Sequence, residues 1–198
     1  MSCKKLAKVQ LPPKLEKISN WLFAYCPQLK TVTIPAKVTQ IGEGAFKESG
    51  LTTITIPKKV TRIKAEAFKK CTSLKKVTFE TNKLTTIDAS LFEGCKKLTT
   101  ITLPDSVTKL NKQAFKGSGL TTITIPEQVT TIGEETFANC KSLKEVIFSG
   151  NQVTSIGSNA FLNLPADCVF KVPAGQADTI KVQLIASGLS DTITVTEY

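Results

Sequence analysis

Seven phenylalanines recur along the chain, at Phe23, Phe46, Phe68, Phe92, Phe115, Phe137 and Phe161, separated by 22 to 24 residues. A spacing this even marks a repeat array. A single unit of such length cannot bury its own apolar side chains, so each must lean on its neighbours and the chain must stack into a solenoid. Function then belongs to a surface.

Each unit opens on a leucine: Leu6, Leu29, Leu51, Leu74, Leu98, Leu120 and Leu143. Three residues on stands Val9, Val32, Ile54, Val77, Ile101, Ile123 or Val146, and two further Leu11, Ile34, Ile56, Phe79, Leu103, Ile125 or Phe148. Alternation at period two predicts a half-buried strand. Pro12, Pro35, Pro57, Pro104 and Pro126 follow directly and, lacking an N–H, end the ladder there. A second apolar pair, such as Val38/Ile41 or Val129/Ile132, predicts a short second strand, and segments such as Gly42 to Phe46 predict about one helical turn with phenylalanine plugging the interior. Gly42, Gly133 and Gly157 share one turn position, expected to need permissive backbone angles.

Two units replace the proline with asparagine. Leu74 to Leu84 and Leu143 to Val153 fit L-x-x-L-x-L-x-x-N-x-L, in which Asn82 and Asn151 are expected to cap neighbouring turns. These units lie 69 residues apart, as do Leu29 and Leu98, so residues 29–97 read as a three-repeat block copied from 98 onward. The run L-x-x-[VI]-x-[IL]-P-x-x-[VL]-x-x-I-G-x-x-A-F-x-x-C, nearly whole in Leu120 to Cys140, resembles the BspA-like class of leucine-rich repeats over residues 3–164. Gly50 and Gly119 are read as replacing its cysteine, and Leu164 ends the last unit. The resemblance implies an α/β solenoid, a right-handed array with a parallel sheet on one face and short strands and single helical turns elsewhere. It further implies a non-catalytic module at a cell surface or secreted, binding host matrix or other proteins.

The chemistry-bearing residues are few. With no histidine, Ser-His-Asp, Cys-His and H-E-x-x-H sites are excluded, and carboxylates such as Glu134 and Glu135 fall at variable repeat positions. Neither cofactor nor metal is expected. Cys3, Cys26, Cys71, Cys95 and Cys140 each precede an opening leucine by three residues, which makes them repeat positions packed as small hydrophobes. Cys168 lies outside that register and its state is left open. Cys3 closes a unit whose earlier residues lie outside the chain, so the chain reads as the C-terminal portion of a longer array behind a start remnant, Met1-Ser2. The competing reading makes Cys3 the acylated first residue of a lipoprotein. Residues 1–10 carry no secretory signal and no apolar run reaches 18 residues, so no membrane span is expected.

The outward strand positions are mostly threonine. Thr31, Thr53, Thr100 and Thr122 form one row, interrupted by Lys8, Lys76 and Glu145; Thr33, Thr55, Thr78, Thr102 and Thr124 form the next. Lys8, Lys76 and the threonines are the candidate partner-binding residues, because solenoids expose extended sheets of this kind. The alternative is that β-branched threonine simply suits an exposed strand. The T-x-T rows also resemble ice-binding solenoids, against which the horseshoe curvature and Lys76 argue. The net charge of +10 is concentrated in residues 1–100, with 19 basic and 7 acidic side chains against 7 and 9 in residues 101–198. That field makes an anionic glycan a second candidate partner. Nucleic acid is disfavoured, since Arg62 is the only arginine and the aromatic residues serve the core. A spacer within a larger surface protein is the remaining reading. Residues 165–198 leave the repeat: Val169 to Val172 predicts a strand, about 176–186 a helix with Ile180, Leu184 and Ile185 on one face, and Thr192 to Val195 a last strand, together a cap on the stack.

Overall fold

The computed structural model describes residues 3–198; Met1-Ser2, read as a start remnant, lie outside the described residues. Every strand pair is parallel, as stacked coils require, because each coil repeats the path of the one before. The first side of the coil carries β3 (Thr53–Ile56) on β5 (Lys76–Phe79), and separately β8 (Thr122–Ile125), β10 (Glu145–Phe148), β12 (Val169–Val172) and β13 (Thr194–Glu197) in that order. The second side carries two-residue strands: β1 (Lys17–Ile18), β2 (Gln40–Ile41) and β4 (Arg62–Ile63) in one group, β6 (Thr86–Ile87), β7 (Lys109–Leu110), β9 (Thr131–Ile132) and β11 (Ser155–Ile156) in another. Prolines 57 and 126 stand directly after β3 and β8, where the missing N–H was expected to stop the ladder.

The third side holds the phenylalanines. Seven rings stack at 5.2–5.6 Å between centroids with interplanar angles of 1–18°, and Phe170 of β12 closes the column edge-on at 90°. The expected helical turn is absent. Two consecutive tight turns take its place, with left-handed residues two before and two after each phenylalanine: Trp21 and Tyr25 around Phe23, Gly44 and Glu48 around Phe46, Glu66 and Lys70 around Phe68. This conformation aims alternate N–H groups out of the coil. Those of Gly44, Phe46 and Glu48 donate to the carbonyls of Ala65, Ala67 and Lys69 in the next coil, at 2.8–3.0 Å, while Lys47 and Ser49 close turns on Gly44 and Phe46. A helix would spend those donors within its own coil, whereas the turn pair makes the third side an inter-coil ladder.

Three further expectations are corrected. Gly42, Gly133 and Gly157 are not in the left-handed region; a Cβ at these positions would lie 2.5–2.6 Å from a backbone nitrogen of the preceding coil. Gly50 and Gly119 do not take the cysteine position, which is held by Ser49 and Ser118, three residues after the phenylalanine, beside the thiols of Cys71 and Cys140 at 3.4 Å. The glycines serve the shortened loop that follows, where a Cβ would meet the Pro27 or Lys96 carbonyl oxygen at 2.0 or 2.1 Å. Of the two asparagines, Asn82 accepts a hydrogen bond from the Ser106 N–H at 3.2 Å, but Asn151 bonds only to its neighbour Gln152.

After β12 the chain forms α1 (Ala177–Ala186) and returns as β13, two residues later than expected. Ile180 and Leu184 are buried, while Ile185 is exposed along with Val182.

Candidate functional site

The threonines divide into two classes by what their hydroxyls do. Thr39, Thr52, Thr61, Thr108, Thr121, Thr130 and Thr154 stand at or just before the strands, and each donates its hydroxyl to a carbonyl of the preceding coil at 3.2–3.4 Å. They clamp adjacent coils together. The candidate threonines Thr31, Thr33, Thr53, Thr55, Thr78, Thr100, Thr102, Thr122 and Thr124 make no side-chain hydrogen bond within the protein, and their hydroxyls face outward.

The structure gathers some of the candidates and separates others. Thr53 lies opposite Lys76 and Thr55 opposite Thr78 on β3 and β5, while Thr122 lies opposite Glu145 and Thr124 opposite Ile147 on β8 and β10. Thr31, Thr33, Thr100 and Thr102 lie on stretches that are not strands, and Lys8 is exposed on the irregular first coil. The expected continuous ladder is therefore two ladders, parted between Thr78 and Thr102. At the part, the Thr99 N–H lacks the bond to the preceding coil that the equivalent Thr52 and Thr121 make at 2.9–3.0 Å. The second side opens one coil earlier: the Thr85 and Asp88 N–H groups find no partner, whereas the equivalent Thr61 and Lys64 N–H groups reach the coil before them.

Around the openings, side chains take over from the backbone. The Leu74 unit has one more residue between its strands than the proline units, and in that corner the Thr81 hydroxyl donates to Val60 O at 2.7 Å and the Ser106 hydroxyl to Leu84 O at 2.8 Å. On the threonine face three shallow clefts cross the coils. One of 370 Å³ is lined by Thr31, Thr33, Thr53 and Thr55; one of 440 Å³ by Lys76, Thr78, Asn82, Thr102 and Asp105; one of 510 Å³ by Thr102, Thr124, Glu127 and Ser149. Sequence reading missed the extension of this face onto β12, where Lys171 pairs with Glu145 at 2.5 Å. The signal lay in Val169 to Val172, already legible as a strand but outside the repeat register.

The rest of the molecule offers little reactive chemistry. Cys26, Cys71, Cys95, Cys140 and Cys168 are buried free thiols and Cys3 is exposed. Burial pushes Cys71 and Cys168 up to about 11, and Cys95 and Cys140 above their ordinary range, so none is a thiolate at neutral pH. Among the described residues, no cluster of three or more His, Cys, Asp and Glu side chains is placed to hold a metal, and no helix is long and apolar enough to cross a membrane. On the third side, Lys47 sits 5.2 Å over the Trp21 ring and 2.8 Å from Glu66, which also meets Lys69 at 3.1 Å, and Lys69 continues to Glu93 at 2.9 Å.

The BspA type leucine rich repeat region, in six copies, matches residues 1–95 and 73–170. The chain belongs to the BspA-type leucine-rich repeat family. No curated protein matches it. Among solved structures, this BspA-type chain is similar to a leucine-rich repeat protein from Bacteroides ovatus, at 21% identity and a TM-score of 0.62, covering 100% of this chain and 79% of that one. It is similar to a leucine rich cell surface protein from Faecalibacterium prausnitzii, at 26% identity and a TM-score of 0.56, covering 98% of this chain and 60% of that one. The pneumococcal vaccine antigen PcpA matches at 20% identity and a TM-score of 0.63, covering 93% of this chain and 60% of that one. The chain thus spans less than two thirds of the last two.

Proposed function

We propose that this chain is a non-catalytic interaction module that binds a protein partner, such as a host matrix protein, through the threonine face at a cell surface or after secretion. The observation that carries the reading is the row of outward hydroxyls left unengaged beside threonines whose hydroxyls are all spent on neighbouring coils. Such a face presents hydroxyls and methyls with little side-chain entropy to lose, beside shallow clefts of 440 and 510 Å³. The cell-surface description of the Faecalibacterium prausnitzii protein supports the location.

The test immobilises the chain and a Thr55→Glu/Thr78→Glu/Thr102→Glu variant and passes extracellular-matrix extract over both. Loss of the captured protein from the variant is the expected result. Equal capture by both moves recognition off this face and leaves the spacer reading standing.

A further inference from the structure

The corner between the first and second sides is built of stacked tight turns. Leu15 N–H closes on Pro12 O, Val38 on Pro35 and Val60 on Pro57, each at 3.0 Å, so Lys14, Lys37 and Lys59 occupy the same turn position in three successive coils. Lys83 continues the series in the next coil, through the longer Asn82 corner. All four are exposed, as is Lys58 beside Lys59, and none joins an ion pair. Coils repeat every 5.4–5.6 Å along this part of the phenylalanine column, so Lys14, Lys37 and Lys59 stand at one corner position in successive coils, and Lys83 follows across the opening of the second side. In sequence, the carboxylates closest to these lysines are Glu16 and Glu80.

The series stops at the block boundary. In the next two proline turns, closed by Val107 on Pro104 and Val129 on Pro126 at 3.0–3.1 Å, the corner residues are Asp105-Ser106 and Glu127-Gln128. The corner therefore reverses sign along the stack. Such a step is a directional feature that solubility alone does not call for, since mixed charge would serve equally.

We infer that the Lys14–Lys37–Lys59–Lys83 corner binds a linear sulfated glycan, laid along the stack with its anionic groups against successive coils and its end limited by Asp105 and Glu127. The four lysines are not among the threonine-face residues, and the corner adjoins that face at Asn82 and Asp105. Lysine supplies point charges suited to sulfate groups, without the planar fork with which arginine grips phosphate and base edges. The corner also lacks aromatic side chains on which bases stack, which sets a glycan ahead of nucleic acid.

The experiment measures binding of a heparin-derived oligosaccharide to the full chain, to Lys14→Ala/Lys37→Ala/Lys59→Ala/Lys83→Ala, and to a charge-matched Lys96→Ala/Lys97→Ala/Lys141→Ala/Lys144→Ala control. The corner variant is expected to bind about tenfold more weakly and the control within about twofold, with wild-type affinity falling between about 0.01 M and about 0.15 M salt. Lys→Arg substitution at the same four positions retains binding, which separates lost charge from lost folding. Equal losses in corner variant and control overturn the inference, as does absence of binding at low salt. So does duplex DNA or an anionic vesicle bound as tightly as the oligosaccharide. The Thr55→Glu/Thr78→Glu/Thr102→Glu variant keeps heparin binding whether or not the threonine face has a protein partner, so the two readings fail separately.

Discussion

Glycine and cysteine positions show most directly how individual residues answer to the stack. Gly119 has an ordinary backbone conformation but sits where a Cβ would meet the Lys96 carbonyl oxygen at 2.1 Å, whereas Gly117 is left-handed with nothing within 4 Å of that Cβ. Gly119→Ala must push two coils apart and is expected to cost about 1–3 kcal/mol in chemical denaturation, as overpacking does. Gly117→Ala carries only the left-handed penalty of about 1–2 kcal/mol. Iodoacetamide at pH 8 is expected to label Cys3 alone in the native protein, because the other five thiols are buried and burial raises all five above their ordinary range. Mass spectrometry before and after denaturation checks this. The cysteine positions were legible from register. The two serines that interleave with them were not, since a one-residue shortening after Ser49 and Ser118 shifts the apparent alignment onto Gly50 and Gly119.

Within the coil, the third side is the part that sequence reading described least well. An Ala-Phe segment looks like a helical turn when only its own hydrogen bonds are counted, yet these N–H groups belong to the next coil. Gly and Asn at positions 44, 94, 117, 139, 159 and 163 were the available sign of left-handed backbone. Truncating the column, as in Phe92→Ala, removes a fully buried ring stacked on both sides and is expected to cost about 3–5 kcal/mol. Glu66 offers a pH test on the same side. Partial burial raises its carboxyl, but hydrogen bonds and charge from Lys47 and Lys69 outweigh this and hold it below the ordinary 4.5. A lowered folded-state value means the stabilisation is present above the ordinary 4.5 and lost as pH falls from there through the lower folded-state value. The part of the acid-induced fall in Tm that belongs to this group is expected to vanish in Glu66→Gln, the effect being small for a partly exposed pair.

Across the whole molecule, the three sides are unequally continuous. The phenylalanine side runs unbroken, while the second side opens between Thr61 and Thr85 and the first between Lys75 and Thr99, so the Leu74 coil is joined to its two neighbours on different sides. Native-state hydrogen exchange is expected to find the Thr85, Asp88 and Thr99 amides less protected than those of Thr61, Thr108 and Thr121. We propose that residues 165–198 cap the stack, since Phe170, Ile180 and Leu184 are buried at its end; their deletion is expected to yield an aggregating protein, which light scattering would show. What the sequence alone determined was the coil: its period, the first-side strand in four of its seven units and which side chains point inward, because packing demands the same residue type at the same position in each turn. Only the tertiary structure decided which coil receives each N–H, where the ladders part, and which threonines and lysines are left for a partner. Those outcomes depend on contacts between residues 22 to 24 apart, where one residue more or fewer in a corner changes the partner of everything beside it.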